Sequence, residues 1–247
     1  MMEMTLLKQD YFPDVAALFI QNFMKLRASV SILPDSLENV DHVCARLDRL
    51  SGGLVALDGG RVVGYLGWFL VDEFRGTERR GAYCPEWGHS AAPALYRELY
   101  GLASAQWFEA GCGVHAITLL AHDHEAEKVW FWSGFGLTVV DAIRSTDALE
   151  NVTPVSVRKA ALDDLAALTA LEAEHAHYYR QPPILMLVYE AQNEAALAQF
   201  LGQPGNSIWL ALNGADPIGY MRFDPHNQDS TAVVKSPKTV SNIGDAE

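Results

Sequence analysis

Three histidines lie close together, His115, His122 and His124, and Asp123 and Glu125 flank the last two. A His-x-His pair on an extended segment turns both rings to one face, which suits zinc. The same residue types also cap strands and open helices, because a short polar side chain can accept from the first free backbone N–H groups. Capping is the expectation for this cluster. No nucleophile elbow, phosphate loop or dinucleotide fingerprint occurs. Gly59-Gly60 lies between two β-rich runs and Gly111-Cys-Gly113 closes a helical pattern, so both glycine pairs have structural explanations.

The elements that must hold these residues follow from periodicity. A short strand over 4–10 leads to a helix from about Asp14, read as its N-cap, with Val15, Leu18, Phe19 and Phe23 at helical spacing. A second helical stretch covers about 36–50, started by Ser36 or Asp41. Two β-rich runs around Asp58-Gly59-Gly60 predict a hairpin. Ala82-Tyr83-Cys84 closes a short strand before Pro85. Residues 92–110 predict a long helix with Leu95, Leu99, Leu102 and Trp107 toward one face and Gly111 as C-cap. A strand over 114–120, a helix over 124–133 and a strand over 136–143 complete this half.

The pattern then restarts. Val55–Leu66 reads VALDGGRVVGYL and Leu210–Met221 reads LALNGADPIGYM, with five of twelve positions identical at an offset of 155. Asp14–Leu18 matches Asp164–Leu168 at an offset of 150. Two windows in the same order at nearly one offset signal an internal repeat. Residues 1–145 read as one copy, 146–154 as a linker, and 155–247 as a truncated second copy. The second copy shows a helix from Asp163 to about His177, a loop at 181–183, a helix over 188–201, a hairpin turned at Asn213-Gly214, and a strand at 231–234.

With 247 residues, 49% apolar and 20% charged, the chain has the composition of a folded globular protein. A net charge of −13 argues against a nucleic-acid surface, since phosphates need a clustered basic face. An acidic surface favours a cationic partner. Three scattered cysteines fit a reducing cytosol, and no run approaches a membrane span. The expectation is a cytoplasmic protein that binds neither nucleic acid nor membrane.

Strand, two helices, hairpin, strand, long helix, strand, helix, strand is mixed α/β, with a hairpin leading into βαβ units. That order, with Asp123–Phe135, resembles the GNAT superfamily of acyl-CoA-dependent N-acyltransferases. The family carries N-x-x-A-x-x-[LF]-Y-x-x-x-G-F before its last strand; here Asp123, Ala126, Val129, Trp130, Gly134 and Phe135 stand at the patterned positions. The resemblance covers most of 4–145 and the front half of the second copy. It implies a GNAT-like mixed twisted sheet flanked by helices. It also implies acetyl-CoA as co-substrate and a small-molecule or peptide amine as acceptor.

The family places R/Q-x-x-G-x-G/A between a strand and the long helix, where backbone N–H groups meet the pyrophosphate. In this chain Gly88 takes the Arg position, Ala91 the first Gly and Pro93 the last small residue; Pro93 lacks an N–H. The resemblance implies cofactor contacts from Tyr83, Cys84, Gly88, Ser90, Ala91, Ala92, Asp123 and Trp130. Trp130 replaces the family's donor tyrosine, and an indole N–H is too weak an acid for that task, so packing is its expected role. Glu86, His89 and His122 are the candidate bases that would keep the amine neutral. Three readings stay open: an acetyl-CoA-dependent N-acetyltransferase, a catalytically silent binding module of the same fold, and, more remotely, a metal-dependent hydrolase. The half-copy leaves an unpaired sheet region, which predicts a homodimer or packing against the first copy.

Overall fold

The computed structural model describes residues 2–33, 35–74, 78–138, 140, 145, 147–148, 150, 153–182, 190–224 and 242–246. Two compact units divide the chain, one on Met1–Ser145 and the other within Thr146–Glu247.

The first unit runs β1 (Met2–Leu6), α1 (Phe12–Ser29), α2 (Val40–Leu47), β2 (Gly52–Asp58), β3 (Arg61–Val71), β4 (Gly81–Cys84), β5 (His89–Ala91), α3 (Pro93–Glu109), β6 (Val114–Ile117) and α4 (His124–Trp132). Its sheet order is β1-β2-β3-β4-β6, antiparallel except for the parallel β4–β6 pair, with β5 also on β3. Alternation along β2 sends Val55 and Leu57 into a core with Phe19 and Phe23 of α1 and Val43 and Leu47 of α2. Leu54 and Ala56 point the other way, onto Leu99 and Trp107 of α3 and Trp130 of α4. Helices thus cover both faces, and each large side chain sealed this way contributes about 1.5–3 kcal/mol. Gly59 and Gly60 both adopt positive φ and close the β2–β3 hairpin.

Pairing slips once in that hairpin: Ala56 faces Gly64 and Leu57 faces Val62, leaving Val63 as an extra residue. The bulge explains how Val62 and Tyr65, an odd number of residues apart, enter the same core.

The second unit runs β7 (Ser156–Lys159), α5 (Leu165–Arg180), α6 (Glu194–Leu201), β8 (Ser207–Asn213), β9 (Asp216–Asp224) and β10 (Asn242–Ala246). Its antiparallel sheet is ordered β10-β9-β8-β7. In the β8–β9 hairpin Ala211 faces Gly219 and Leu212 faces Pro217, so Ile218 is extra. This bulge falls at the position of the first hairpin's bulge once the 155-residue offset is applied. Leu168, Leu197, Ile208, Leu210 and Tyr220 form the core of this unit. On the opposite face of its sheet Val157, Trp209 and Met221 are exposed.

Several boundaries moved. Helix α1 begins two residues before Asp14, with Pro13 in its first turn and no side-chain cap. The stretch expected over 36–50 splits into a 3-10 turn (Asp35–Glu38) and α2, capped by Asn39, whose side chain accepts from the His42 N–H. On α3 the buried stripe is Leu95, Leu99, Ala103 and Trp107, while Leu102 is exposed. The small alanine fits the i+4 row and leaves Leu102 turned outward. Helix α6 starts at Glu194, capped by Asn193, six residues later than periodicity suggested. The strand expected over 136–143 is not formed at 136–138 or 140, and its remainder lies outside the described residues, as does that at 231–234. Among the described residues no helix is long and apolar enough to cross a membrane.

Candidate functional site

Strands β4 and β6 pair from Gly81 and Val114 to Cys84 and Ile117, and a last rung runs from the Thr118 N–H to the Cys84 carbonyl at 2.9 Å. Beyond it they part. After Cys84 the chain makes a tight turn, with the Gly88 N–H donating to the Pro85 carbonyl at 2.8 Å. It then rejoins β3 as β5, Ala91 facing Gly64 and His89 facing Leu66. A single residue, Ala92, separates β5 from α3.

The stretch Gly88–Pro93, expected as a phosphate loop, is a short strand joined through Ala92 to α3. The Gly88 carbonyl accepts from the Gly67 N–H, and the Ala91 N–H donates to the Tyr96 hydroxyl at 3.2 Å. A backbone zipped onto β3 does not offer a run of free N–H groups to a diphosphate. Gly88 itself serves packing: a Cβ there would meet Pro85 Cδ at 2.8 Å and the Gly67 oxygen at 2.9 Å.

The parting of the strands is bridged from within. His89, 4% exposed, donates from Nε2 to the Thr118 carbonyl at 2.8 Å, which leaves Nδ1 unprotonated to accept from Tyr96 at 3.0 Å. The phenol therefore donates to His89 and accepts from Ala91, and every proton in the chain is assigned. Burial holds the His89 imidazole below its ordinary pKa, opposed by the Thr118 bond and the charge of Asp123. Burial also drives the Tyr96 phenol up. Both ring nitrogens of His89, a candidate base by sequence, are hydrogen-bonded in this arrangement. Tyr83 reaches the same place from β4, its hydroxyl 3.0 Å from that of Thr118.

A second cluster lies on α1 and the start of α4. Asp123 caps α4 by accepting from the Ala126 N–H at 3.1 Å, as its sequence position implied. Its other oxygen accepts from the Asn22 amide at 3.4 Å. Asn22 Oδ1 in turn accepts from His122 Nε2 at 3.2 Å. That bond fixes the tautomer and leaves Nδ1 with the lone pair, buried and without a hydrogen-bond partner among the described residues. Burial first, then Lys25 and His124, hold this imidazole below its usual pKa, against Asp123. A neutral imidazole with a vacant Nδ1 can take a proton. Asn22 carried no sequence signal beyond its helix.

The other predicted residues separate. Glu86 is buried in the Pro85–Gly88 turn, and its charge acts on Arg46 of α2, whose guanidinium lies over the Trp87 ring at 5.9 Å. Ser90 donates to the Leu18 carbonyl at 3.4 Å, and Ala92 is the N-cap of α3. Cys84 is fully buried and its thiol is pushed far up by desolvation. Trp130 packs on Tyr96, Tyr100 and Phe135 with ring centroids 5.1–5.5 Å apart. The three histidines diverge: His115 pairs with the Tyr100 hydroxyl at 3.1 Å, His122 with Asn22, and exposed His124 with Glu127. No cluster of three or more metal-ligating side chains occurs among the described residues.

No protein-family model matches this sequence, and no curated protein does. Among solved structures, the chain is similar to a GCN5-related N-acetyltransferase from Ralstonia eutropha JMP134, at 16% identity and a TM-score of 0.46. The match covers 60% of this chain and all of that one. It is also similar to an aminoglycoside N-acetyltransferase solved with CoA, at 14% identity over 60% of this chain and 96% of that one, TM-score 0.42. A ribosomal-protein-alanine N-acetyltransferase from Brucella melitensis biovar Abortus 2308 matches at 13% identity over 59% and 99%, TM-score 0.40.

Proposed function

We propose that the chain carries two copies of an N-acyltransferase architecture, the second in part, and that its first unit is a binding module that does not seat acyl-CoA. One observation carries this reading: His89, held by Tyr96, is tied to the Thr118 carbonyl just past the last rung between β4 and β6. With β5 zipped onto β3 and Pro93 opening α3, fewer backbone N–H groups are left for a diphosphate than the family's glycine loop would offer. The repeated hairpin bulge and the shared strand–helix–helix–hairpin order support the two copies. Calorimetry with acetyl-CoA tests the reading. No heat is expected at millimolar cofactor, and saturable binding would overturn it.

A second reading rests on His122. Transfer of an acetyl group from acetyl-CoA to a small-molecule or peptide amine needs a base that keeps the amine neutral, and His122, held through Nε2 by Asn22, is the candidate. In this reading Asp123 positions Asn22, and the Asn22 amide positions the ring. Release of thiol from acetyl-CoA in a panel of amines, lost in His122→Gln, would favour it over the binding module.

The exposed face of the second sheet, with Val157, Trp209 and Met221, supports a homodimer. Light scattering is expected to give twice the chain mass, and Trp209→Lys to halve it.

A further inference from the structure

Residues directly opposite one another in an antiparallel sheet turn their side chains to the same face. In the first unit Met4 stands opposite Ala56, and Leu54 stands opposite both Leu6 and Leu66. Helices α3 and α4 cover this face. Leu54 is 4% exposed and Leu66 fully buried, in one core with Leu95, Leu99 and Trp107 of α3 and Trp130 of α4. Leu6 lies at the rim, where it lines a depression with Gln106, Trp107 and Ala110 at the C-terminal end of α3.

The second unit repeats these registers. Val157 stands opposite Ala211, and Trp209 stands opposite both Lys159 and Met221. At the hairpin offset of 155, Trp209 takes the place of Leu54 and Met221 that of Leu66. Strand pairing then puts Val157 at the place of Met4 and Lys159 at that of Leu6. Helices α5 and α6 lie on the other face, in a core with Ile208, Leu210 and Tyr220. Val157, Trp209 and Met221 are left 58%, 42% and 36% exposed, on the face that α3 and α4 seal in the first unit. The one charge among these positions is exposed Lys159, at the corner matching the C-terminal end of α3. A helix laid here as α3 lies on the first sheet would aim its free carbonyls at that ammonium, the favourable end of its dipole.

We propose that this face of the second sheet is the seat of an amphipathic helix from a partner protein, its C-terminal end at Lys159. The stripe it requires is that of α3, whose buried residues Leu95, Leu99, Ala103 and Trp107 recur at every fourth position. The helix and a second copy of this chain compete for the face, since both cover Trp209 and Met221. The inference rests on the register match between the two hairpins and holds whether or not the first unit seats acyl-CoA.

A synthetic peptide of residues 92–110 is the probe, and the same peptide with Leu95→Ser, Leu99→Ser and Trp107→Ser is the control. The full chain with ¹⁵N-labelled tryptophan is titrated with each to about 1 mM, a range that reaches weak peptide affinities. The Trp209 indole resonance is expected to move saturably with the probe alone, while those of Trp87 and Trp130, sealed in the first unit, stay still. Met221→Lys should weaken binding roughly tenfold or more, as loss of a central apolar anchor does. Lys159→Glu should weaken it about two- to five-fold by reversing the charge at the helix C-terminus. A silent Trp209, an equal response to the control peptide, or unchanged affinity in either variant would overturn the proposal. A silent Trp209 in a chain that light scattering finds dimeric assigns the face to the second copy instead. A responding Trp209 in a monomeric chain upholds the helix and removes the homodimer.

Discussion

Replacing Tyr96 by Phe removes one oxygen and strands two partners. His89 Nδ1 loses its donor at 3.0 Å, and the Ala91 N–H loses its acceptor at 3.2 Å. Each buried polar group left unsatisfied costs about 1–3 kcal/mol. His89 is nearly sealed and bears the larger share, whereas Ala91 is partly buried and water can offset some of its loss. The expected destabilisation is about 2–4 kcal/mol, and at roughly 2–4 °C per kcal/mol for a chain of this size the melting point should fall by roughly 5–15 °C. Urea unfolding followed by tryptophan fluorescence reads the first unit well, because Trp68, Trp87, Trp107 and Trp130 are buried there while Trp209 of the second unit is 42% exposed. Tyr100→Phe is the control. Its hydroxyl meets His115 in a half-buried setting, and its loss should cost less than about 1 kcal/mol. Should Tyr96→Phe cost no more than the control, the phenol would not be satisfying His89, and the bridge across the parted strands would be mere proximity.

Stability of the first unit should fall on acidification. Burial lowers the folded-state pKa of His89 beneath 6.5, so below that pH the unfolded chain binds the proton first. The contribution of the neutral ring is complete above about pH 6.5 and is lost as the pH falls, by up to about 1.4 kcal/mol per pH unit; denaturant midpoints between pH 7.5 and 5 check this, and a flat profile would contradict it. Gly88→Ala should destabilise by about 1–3 kcal/mol, because its methyl would overlap Pro85 and the Gly67 carbonyl, whereas Gly101→Ala, with open space at its Cβ and a helical backbone, should not weaken the fold. Asn22→Ala should release the His122 tautomer, seen as ring ¹⁵N shifts moving from one fixed pattern to an average of two. Asp123→Ala should cost about 1 kcal/mol through loss of the α4 cap, measured by the same urea titration.

Much of the fold was legible because it is local. The hairpin at Gly59-Gly60, the long helix after Pro93 and the Asp123 cap rest on turn conformation, periodicity and a side chain three residues from its target. The second hairpin was legible too, since like sequences at an offset of 155 form the same hairpin with the same extra residue. The candidate site was not local. Whether Gly88–Pro93 forms a phosphate loop or a strand depended on β3 offering an open edge opposite Gly64–Leu66, which no window of sequence reveals. His89, Glu86 and His122 looked alike as titratable residues; their partners Thr118, Arg46 and Asn22 lie far away along the chain and give them three different settings, a ring bonded at both nitrogens, a buried carboxylate near a guanidinium and a ring bonded at one nitrogen. Residue order specified the elements through short-range sterics and burial pattern. Only the folded chain, by choosing which backbone edges pair and which polar groups are sealed from water, decided which of those residues remain able to do chemistry.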